Sequence, residues 1–565
     1  MFLVPILDAV LAATTLSLRY SSILFVRFYP IARYLPRVYA NFAAYALSAL
    51  LQLQLTRHNA RKGRRHPILI ALLGWLDVTR PLLSALTALV NILCVLSAVD
   101  FVYRGQYVHP SHELSFSRMG YVDATSARVV IRAPQASVVE LQARPGGFGT
   151  LPENLGTFPE DKVISAIVRN LSEETDWAGT FKLHGLLPDT TYTYSTNASH
   201  TGTFKTAGEH PKKWTMIQTS CVKPFYPYNP LDHALSVKGL EHLGRFLGNR
   251  TAEFMLFLGD FIYIDLPYPL GWTQKHYTDL YRQTYASPSW TPALRNLPWL
   301  HVYDDHEFIN DWSGNETGLY QNAVAPYWHY QGHANPPSPA HFGEGASYYT
   351  FARGDVAFFV LDTRRYRSPA ETSDGPDKTM LGPAQREHLR QWLRDEPRWK
   401  VVVSSVPWTR TWVSPDQGDR WAGYLHERER IFGWMRETDG VVLLSGDRHE
   451  HTTTLFPPPT GEEGKTLIEF STSALNQFYE PFDRFHVPVV GGDEAVYNHY
   501  SGNSKFASIS FDTTDPGRWS VQFDLIVDGE KVWDYAWTYE RTTMIRKTET
   551  KPTRKDEPSW GFWKR

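Results

Sequence analysis

The chain has 565 residues, 42% of them hydrophobic and 14% aromatic, and its 57 basic residues nearly cancel 59 acidic ones to leave a net charge of −2. That length allows two to four domains with ample material for packed cores, and the balanced charge leaves no global field to attract nucleic acid, so no nucleic-acid partner is expected. Only Cys94 and Cys221 are available for oxidation, which excludes a disulfide scaffold, and both thiols read as unpaired.

Residues 1–102 form a membrane-anchoring helical region. Residues 38–56 and 82–99 carry no charged side chain, and each approaches the ~20 apolar residues that span a bilayer. Residues 1–18 are also apolar, broken by Asp8, whereas 67–76 are too few to cross alone. No basic segment precedes the first apolar run, so a cleaved signal is a poor fit. Between the two uncharged stretches lies RHNARKGRRH (57–66), whose five basic residues mark a cytoplasmic loop. One further crossing then places everything downstream on the lumenal or outer side of a multi-pass membrane protein. Asn-x-Ser/Thr sequons at Asn170, Asn197, Asn249 and Asn315 agree with that side. A crossing at 67–76 would reverse it.

Residues 103–208 alternate in short segments. ARVVIRAP and SVVELQAR predict strands, and LHGLLPDTTYTYST sets a turn before Tyr192 and Tyr194. The pattern predicts an all-β, fibronectin-like sandwich with a tyrosine corner and a structural role. From 209 to 541, apolar runs alternate with amphipathic or irregular segments, which predicts an α/β domain. Within it, residues 383–396 form a helix with Leu389, Trp392 and Leu393 on one face. Residues 542–565 are a polar, basic tail expected to be disordered.

The apolar runs of the α/β domain end alike. WTMIQTSC stops at Cys221, FMLFLGD at Asp260, WLHVYDDHE at Asp304, Asp305 and His306, VAFFVLDTRR at Asp362, Arg364 and Arg365, WKVVVSSVPW at Ser404 and Ser405, and GVVLLSGDRHEH at Asp447, His449 and His451. Ligands of open α/β sheets bind outside the carboxyl ends of the strands. Carboxylates gathered at one edge repel one another unless cations join them. In MLFLGDFIYID, Gly259 permits a sharp turn, Asp260 has two oxygens to bridge two ions, and Tyr263 follows close enough to share them. Phenolate, thiolate and imidazole beside carboxylates suit one transition metal and at least one oxygen-loving divalent ion.

With Ser220–Cys221, GDFIY (259–263), YDDHEFIND (303–311), LDTRRYR (361–367) and LLSGDRHEH (443–451) in this order, the chain resembles the PhoD-like branch of the metallophosphoesterases from about residue 103 to 540. The resemblance implies a four-layered α/β/β/α sandwich and a phosphatase of phosphomonoesters or phosphodiesters acting through a metal-activated hydroxide. It also implies a centre of iron plus calcium, or another divalent ion such as zinc, manganese or magnesium. Carried over by residue, Asp260 bridges the ions, Cys221, Tyr263 and His449 complete the iron side, and Asp447 with either Asp305 or Asn310 holds the second ion. His306 takes the catalytic histidine's place, and Arg364 or Arg365 grips a phosphate oxygen. The Asp-x-His motif that opens the wider superfamily is absent. Asp304 and His451 are expected outside the metal shell, and Tyr327, Trp328 and Tyr330 either wall the site or pack. Two rivals stand beside this reading. One is a phosphodiesterase of lipid or glycolipid head groups, and the other is a non-catalytic membrane scaffold with a vestigial metal site.

Overall fold

The computed structural model describes residues 3–56, 66–146, 163–268, 270–414, 417–480, 482–483 and 485–541. Most of the basic loop (57–65) and the tail (542–565) lie outside the described residues.

Four helices come first: α1 (Leu3–Ile23), α2 (Tyr34–Thr56), α3 (Pro67–Leu73) and α4 (Pro81–Val108). Prolines open α3 and α4, where a missing N–H costs nothing. The first helix continues through one π turn, Leu24–Phe28. Among the described residues, two helices are long and apolar enough to cross a membrane: Val4–Phe28 and Pro81–Val108. The sequence ranked 38–56 with 82–99; by composition it is the first helix, despite Asp8, that stands beside α4. The bundle has two distinct ends. At one, Trp75 Nε1 donates to the Asp8 carbonyl at 2.8 Å, Gln52 donates to the Asp8 carboxylate, and Leu76 N–H donates to Gln52 at 3.1 Å. At the other, Phe25, Leu35, Val38, Ala98 and Phe101 pack on Phe225, Tyr226 and Ala234 of the α/β domain.

Seven strands follow: β1 (Phe116–Val122), β2 (Ser126–Arg132), β3 (Val138–Pro145), β4 (Ile164–Arg169), β5 (Ala178–His184), β6 (Thr191–Thr196) and β7 (Thr201–Lys205). They form sheets ordered β1-β2-β5 and β4-β3-β6-β7. In β3, Val139, Leu141 and Ala143 are buried while Val138, Glu140 and Gln142 are exposed, the two-residue period of a one-faced strand. Inward side chains of both sheets share one core. The Tyr192 hydroxyl accepts the Leu187 N–H at 2.9 Å, as the turn sequence predicts for that tyrosine. Arg118, buried on β1, donates to the Tyr330 carbonyl at 2.8 Å and ties this unit to the next.

The α/β part contains β8 (Lys213–Thr219), α5 (Lys238–Leu247), β9 (Met255–Leu258), α6 (Gln274–Tyr285), α7 (Pro292–Asn296), β10 (Trp299–Val302), α8 (Tyr320–Tyr330), β11 (Tyr349–Arg353), β12 (Val356–Val360), α9 (Gly382–Asp395), β13 (Trp399–Val403), α10 (Leu425–Arg436) and β14 (Val441–Ser445). It closes with β15 (His451–Phe456), β16 (Leu467–Thr472), β17 (Val489–Val490), β18 (Asp493–His499), β19 (Lys505–Asp512), β20 (Arg518–Val527) and β21 (Glu530–Glu540). One sheet runs β10-β9-β8-β19-β20-β21 and the other β11-β12-β13-β14-β16-β15-β18-β17. All six apolar runs read from the sequence are strands, and 383–396 is helix α9 to within a residue. Strand β14 shows why those runs are continuous: Val442 and Leu444 face the core between the sheets, while Val441 and Leu443 face α9 and α10. A strand covered on both faces has no polar side. Strands β8–β10 are parallel, as are β12, β13, β14 and β16, so within each sheet their carboxyl ends share an edge.

Candidate metal centre

Four residues at that edge adopt left-handed backbone: Cys221 (φ 63°), Asp260 (58°), Asp447 (73°) and His449 (60°). For residues with a Cβ this costs on the order of 1–3 kcal/mol each and persists only where surrounding structure enforces it. Here the turn swings each side chain past its strand end toward a common point. Gly259 enables the tightest of these turns: with φ at 95°, a Cβ there would stand 2.4 Å from that of Asp304. Glu307 braces the edge from below, its carboxylate accepting the N–H groups of Asp260 (2.9 Å), Phe261 (2.6 Å) and Asp304 (2.9 Å).

Donor atoms of Cys221, Asp260 and His449 lie within 4.8 Å of one another. The Tyr263 hydroxyl joins them, 3.1 Å from Asp260 Oδ2 and 3.1 Å from His449 Nε2. Next to this group, Asp304, Asp305 and Asp447 make a second cluster within the same limit, and Asp260, Asp305 and His306 make a third. Asp260 therefore belongs to both halves of the centre.

Their electrostatics describe groups awaiting positive charge. Burial, then the Asp260 charge, pushes the Cys221 thiol and the Tyr263 phenol well above their usual ranges. Burial, partly offset by His306, raises Asp260, and burial, partly offset by Arg448, raises Asp447. Burial followed by the His306 charge drives His449 well down, toward the neutral form a metal requires. Asp304 Oδ2 and Asp447 Oδ2 are buried without a hydrogen-bond partner. Buried polar atoms are nearly always satisfied, and among the described residues Asp447 Oδ2 has only Arg448 Nη1 at 3.6 Å, so carboxylate oxygens without a hydrogen bond in one acidic cluster fit a cation. The donor set and its charge therefore fit metal ions on both sides.

His306 lies at the rim of these clusters, its Nδ1 2.6 Å from Asp265 Oδ1. Burial works against its positive form, but Asp265, then Asp305 and Asp260, hold its pKa well above the usual value.

The other sequence candidates sort differently. Of the alternatives for the second ion, Asp305 is in the cluster, whereas Asn310 is exposed and donates its main-chain N–H to Asp265 at 3.1 Å. Arg364 is not free to hold phosphate. It is fully buried, with Nε on Asp304 at 2.5 Å and both terminal nitrogens on Asp419. Arg365 points to Glu316 at 2.6 Å and the Gly345 carbonyl at 2.5 Å. Sequence reasoning expected a phosphate grip because both arginines follow a strand end; burial against carboxylates gives Arg364 the role of countercharge instead. Tyr327 and Tyr330 pack in the core rather than walling the site, and His451 bonds Thr472 and Thr453 inside its sheet. Asp304 moves in the opposite direction, from expected bystander to cluster member. Glu307 and Asp265, present in the quoted stretches but given no role there, and Asp419, outside them, carry structural roles.

Residues 238–511 match the family model described as PhoD-like phosphatase. Over those residues the chain is similar to PhoD-like phosphatases. Alkaline phosphatase D of Bacillus subtilis (strain 168) is 27% identical over 205 residues, which is 31% of this chain and 35% of that protein. The chain thus spans about a third of the length of that curated relative. Among solved structures, that of PhoD superposes with a TM-score of 0.57 at 17% identity, covering 75% of this chain and 90% of the other. The purple acid phosphatase PPD1 of yellow lupin (Lupinus luteus) seeds superposes at 0.52 with 14% identity, covering 76% and 74%. At these identities the two structures establish a shared mixed α/β fold. Their coverage takes in much of the chain outside residues 238–511.

Proposed function

We propose that this protein is a membrane-anchored, metal-dependent phosphoric ester hydrolase. The observation that carries the proposal is the meeting of Cys221, Asp260, Tyr263 and His449 beside an acidic cluster with two unsatisfied buried oxygens. The thiolate, phenolate and imidazole side suits iron, and the Asp304–Asp305–Asp447 side suits calcium or another divalent ion such as zinc, manganese or magnesium. When bound, such ions supply Lewis acidity and a water of lowered pKa.

The chain's own residues do the rest. Asp260 serves both halves of the centre. Asp265 accepts from His306 Nδ1 and keeps the imidazole charged, so that His306 holds a proton for the departing ester oxygen. Arg364, neutralised by Asp304 and Asp419, keeps the acidic edge from bursting apart. The orphaned oxygens also argue against a vestigial site, because an edge relieved of its ions gains by replacing buried acids.

Helices packed on both outer faces of the paired sheets support the four-layered α/β/β/α reading, and the two-sheet unit before them supports the fibronectin-like one. The helices that reach the domain at Phe25 and Phe101 support a multi-pass anchor with the domain on the lumenal or outer side. Asn170, Asn197, Asn249 and Asn315 are all exposed, as sequons on that side require.

Purified protein is expected to hydrolyse an aryl phosphate, to lose that activity on chelation and to regain it with metal, while Asp260→Asn stays inactive. Turnover that survives complete metal removal, or none after metals are restored, would refute the proposal.

A further inference from the structure

The connector between α1 and α2 reaches the metal centre. Ile31 packs against the cluster formed by Cys221, Tyr263, Leu266 and Ala474. Tyr29 sets its ring edge-on to Phe478, centroids 5.6 Å apart, and Phe478 stands edge-on to His449 at 4.7 Å. The Tyr29 hydroxyl donates to Glu480 at 3.0 Å, and Tyr226 donates its hydroxyl to the Arg27 carbonyl. A segment held between two N-terminal helices thus packs on the cluster that contains Cys221 and Tyr263 and backs the ring that touches His449.

Distance along the bundle puts this connector at a membrane boundary. From Asp8 at the far polar end to Phe28, the helix advances ~30 Å at 1.5 Å per residue, the thickness of a bilayer's hydrocarbon core. Arg27, Arg33 and Arg37 cluster at the near end. All three are exposed, and among the described residues no carboxylate pairs with them. That is the level of lipid phosphates, to which such arginines are attracted.

The loops around the centre share a further property. The exposed aromatic side chains among the described residues of 209–541 are Tyr268 (52%), Trp272 (72%) and Phe482 (70%). Tyr268 and Trp272 follow Asp265, and Phe482 follows Phe478. Leu231, Ile309 and Val413, also exposed, come from the segments after Cys221, after His306 and beside Trp412, over which the Arg448 guanidinium stacks. Isolated exposed apolar side chains are ordinary. Tyr268 and Trp272, however, leave the same loop as Asp265, and Phe482 follows the Phe478 ring that meets both Tyr29 and His449; Trp and Tyr favour the membrane–water interface.

We infer that this rim lies on the bilayer that anchors the helices, and that the site acts on a phosphate ester carried by a membrane lipid. The inference builds on the phosphoric ester hydrolase reading and names its substrate class. Water is split across a P–O bond: its hydroxyl goes to phosphorus, and its proton goes to the departing oxygen of the lipid or its head group.

The test uses the full chain, metal-loaded, in phosphatidylcholine vesicles. Phosphatidic acid is compared with glycerol 3-phosphate, phosphatidylinositol with glycerophosphoinositol, and an aryl phosphate reports basal activity. Expected is a kcat/KM at least about tenfold higher for one lipid than for its soluble counterpart. The double variant Trp272→Glu/Phe482→Glu is expected to lose that preference while keeping aryl phosphate turnover. Independently, Trp272→Cys in a Cys94→Ser background, labelled with an environment-sensitive dye, is expected to be quenched by brominated acyl chains. Soluble esters cleaved as well as lipids, or a dye that brominated lipid does not quench, overturns the inference while leaving the hydrolase reading intact. Loss of the aryl phosphate activity in the unaltered protein instead removes the hydrolase reading and the inference with it.

Discussion

Tyr263 donates its phenolic proton to Asp260, which precedes it by one turn of chain, across 3.1 Å. The same oxygen stands 3.1 Å from His449 Nε2, so a single phenol joins a residue of strand β9's end to one beyond β14. Removing that oxygen leaves the ring in place but takes away a donor. Tyr263→Phe and Cys221→Ser are expected to fold and to hold the transition metal at least about tenfold more weakly, the scale seen even for lost supporting partners. Elemental analysis after dialysis against a weak chelator measures this; unchanged stoichiometry in both variants would remove them from the ligand set.

His306 is expected to act on substrate rather than on metal retention. His306→Gln should lower kcat by about 10²–10⁴-fold, the usual worth of a positioned acid or base, with metal content preserved. Asp265 is the first of the charges that raise the His306 pKa. In Asp265→Asn the imidazolium should therefore lose its proton at lower pH, and the alkaline limb of the rate profile should move down. A profile that stays in place would assign the proton to another group.

Arg364 and Arg365, both after β12, separate cleanly by burial. Arg364→Ala leaves Asp304 as a buried charge without its arginine and Asp419 with Arg367 alone, a loss of about 3–5 kcal/mol. Arg365 pairs at 2.5 Å with the half-exposed Glu316, and Arg365→Ala should cost at most about 1 kcal/mol. Urea unfolding of the two variants gives the comparison directly, and equal destabilisation would contradict the assigned roles.

Chelation should destabilise the protein more as pH rises. Asp260 and Asp447 have pKa values raised by burial, so the metal-free fold binds protons that the unfolded chain releases above about pH 4. Folded-state stability without metal is then greatest below that value and declines as pH rises toward the raised pKa values. Bound cations remove the dependence by favouring the ionised carboxylates. The difference in Tm between metal-loaded and chelated protein is expected to be larger at pH 8 than at pH 5, and a difference that shrinks with pH would reverse the sign assigned to these carboxyls.

Much of this was legible in one dimension. Continuous apolar runs such as 441–445 identify strands covered on both faces, because a two-residue period leaves no polar side to show. Gly259 before Asp260 marks a turn that a Cβ would block. The strand-end Cys, Asp and His side chains, the helix at α9 and the tyrosine that bonds Leu187 all depend on spacing within a few residues, and local steric rules act over that range. The partner of each charge was not legible. Arg364 meets Asp419 from a loop without a motif, Glu307 folds back to cap Asp260, Asp304 turns into the cluster and Asn310 turns out of it. Ile31 and Tyr29 arrive from the connector between the first two helices. Those outcomes follow from which loops meet at a shared edge and what they bury there. Desolvation and Coulomb energy depend on distance in space, and separation along the chain carries no record of it.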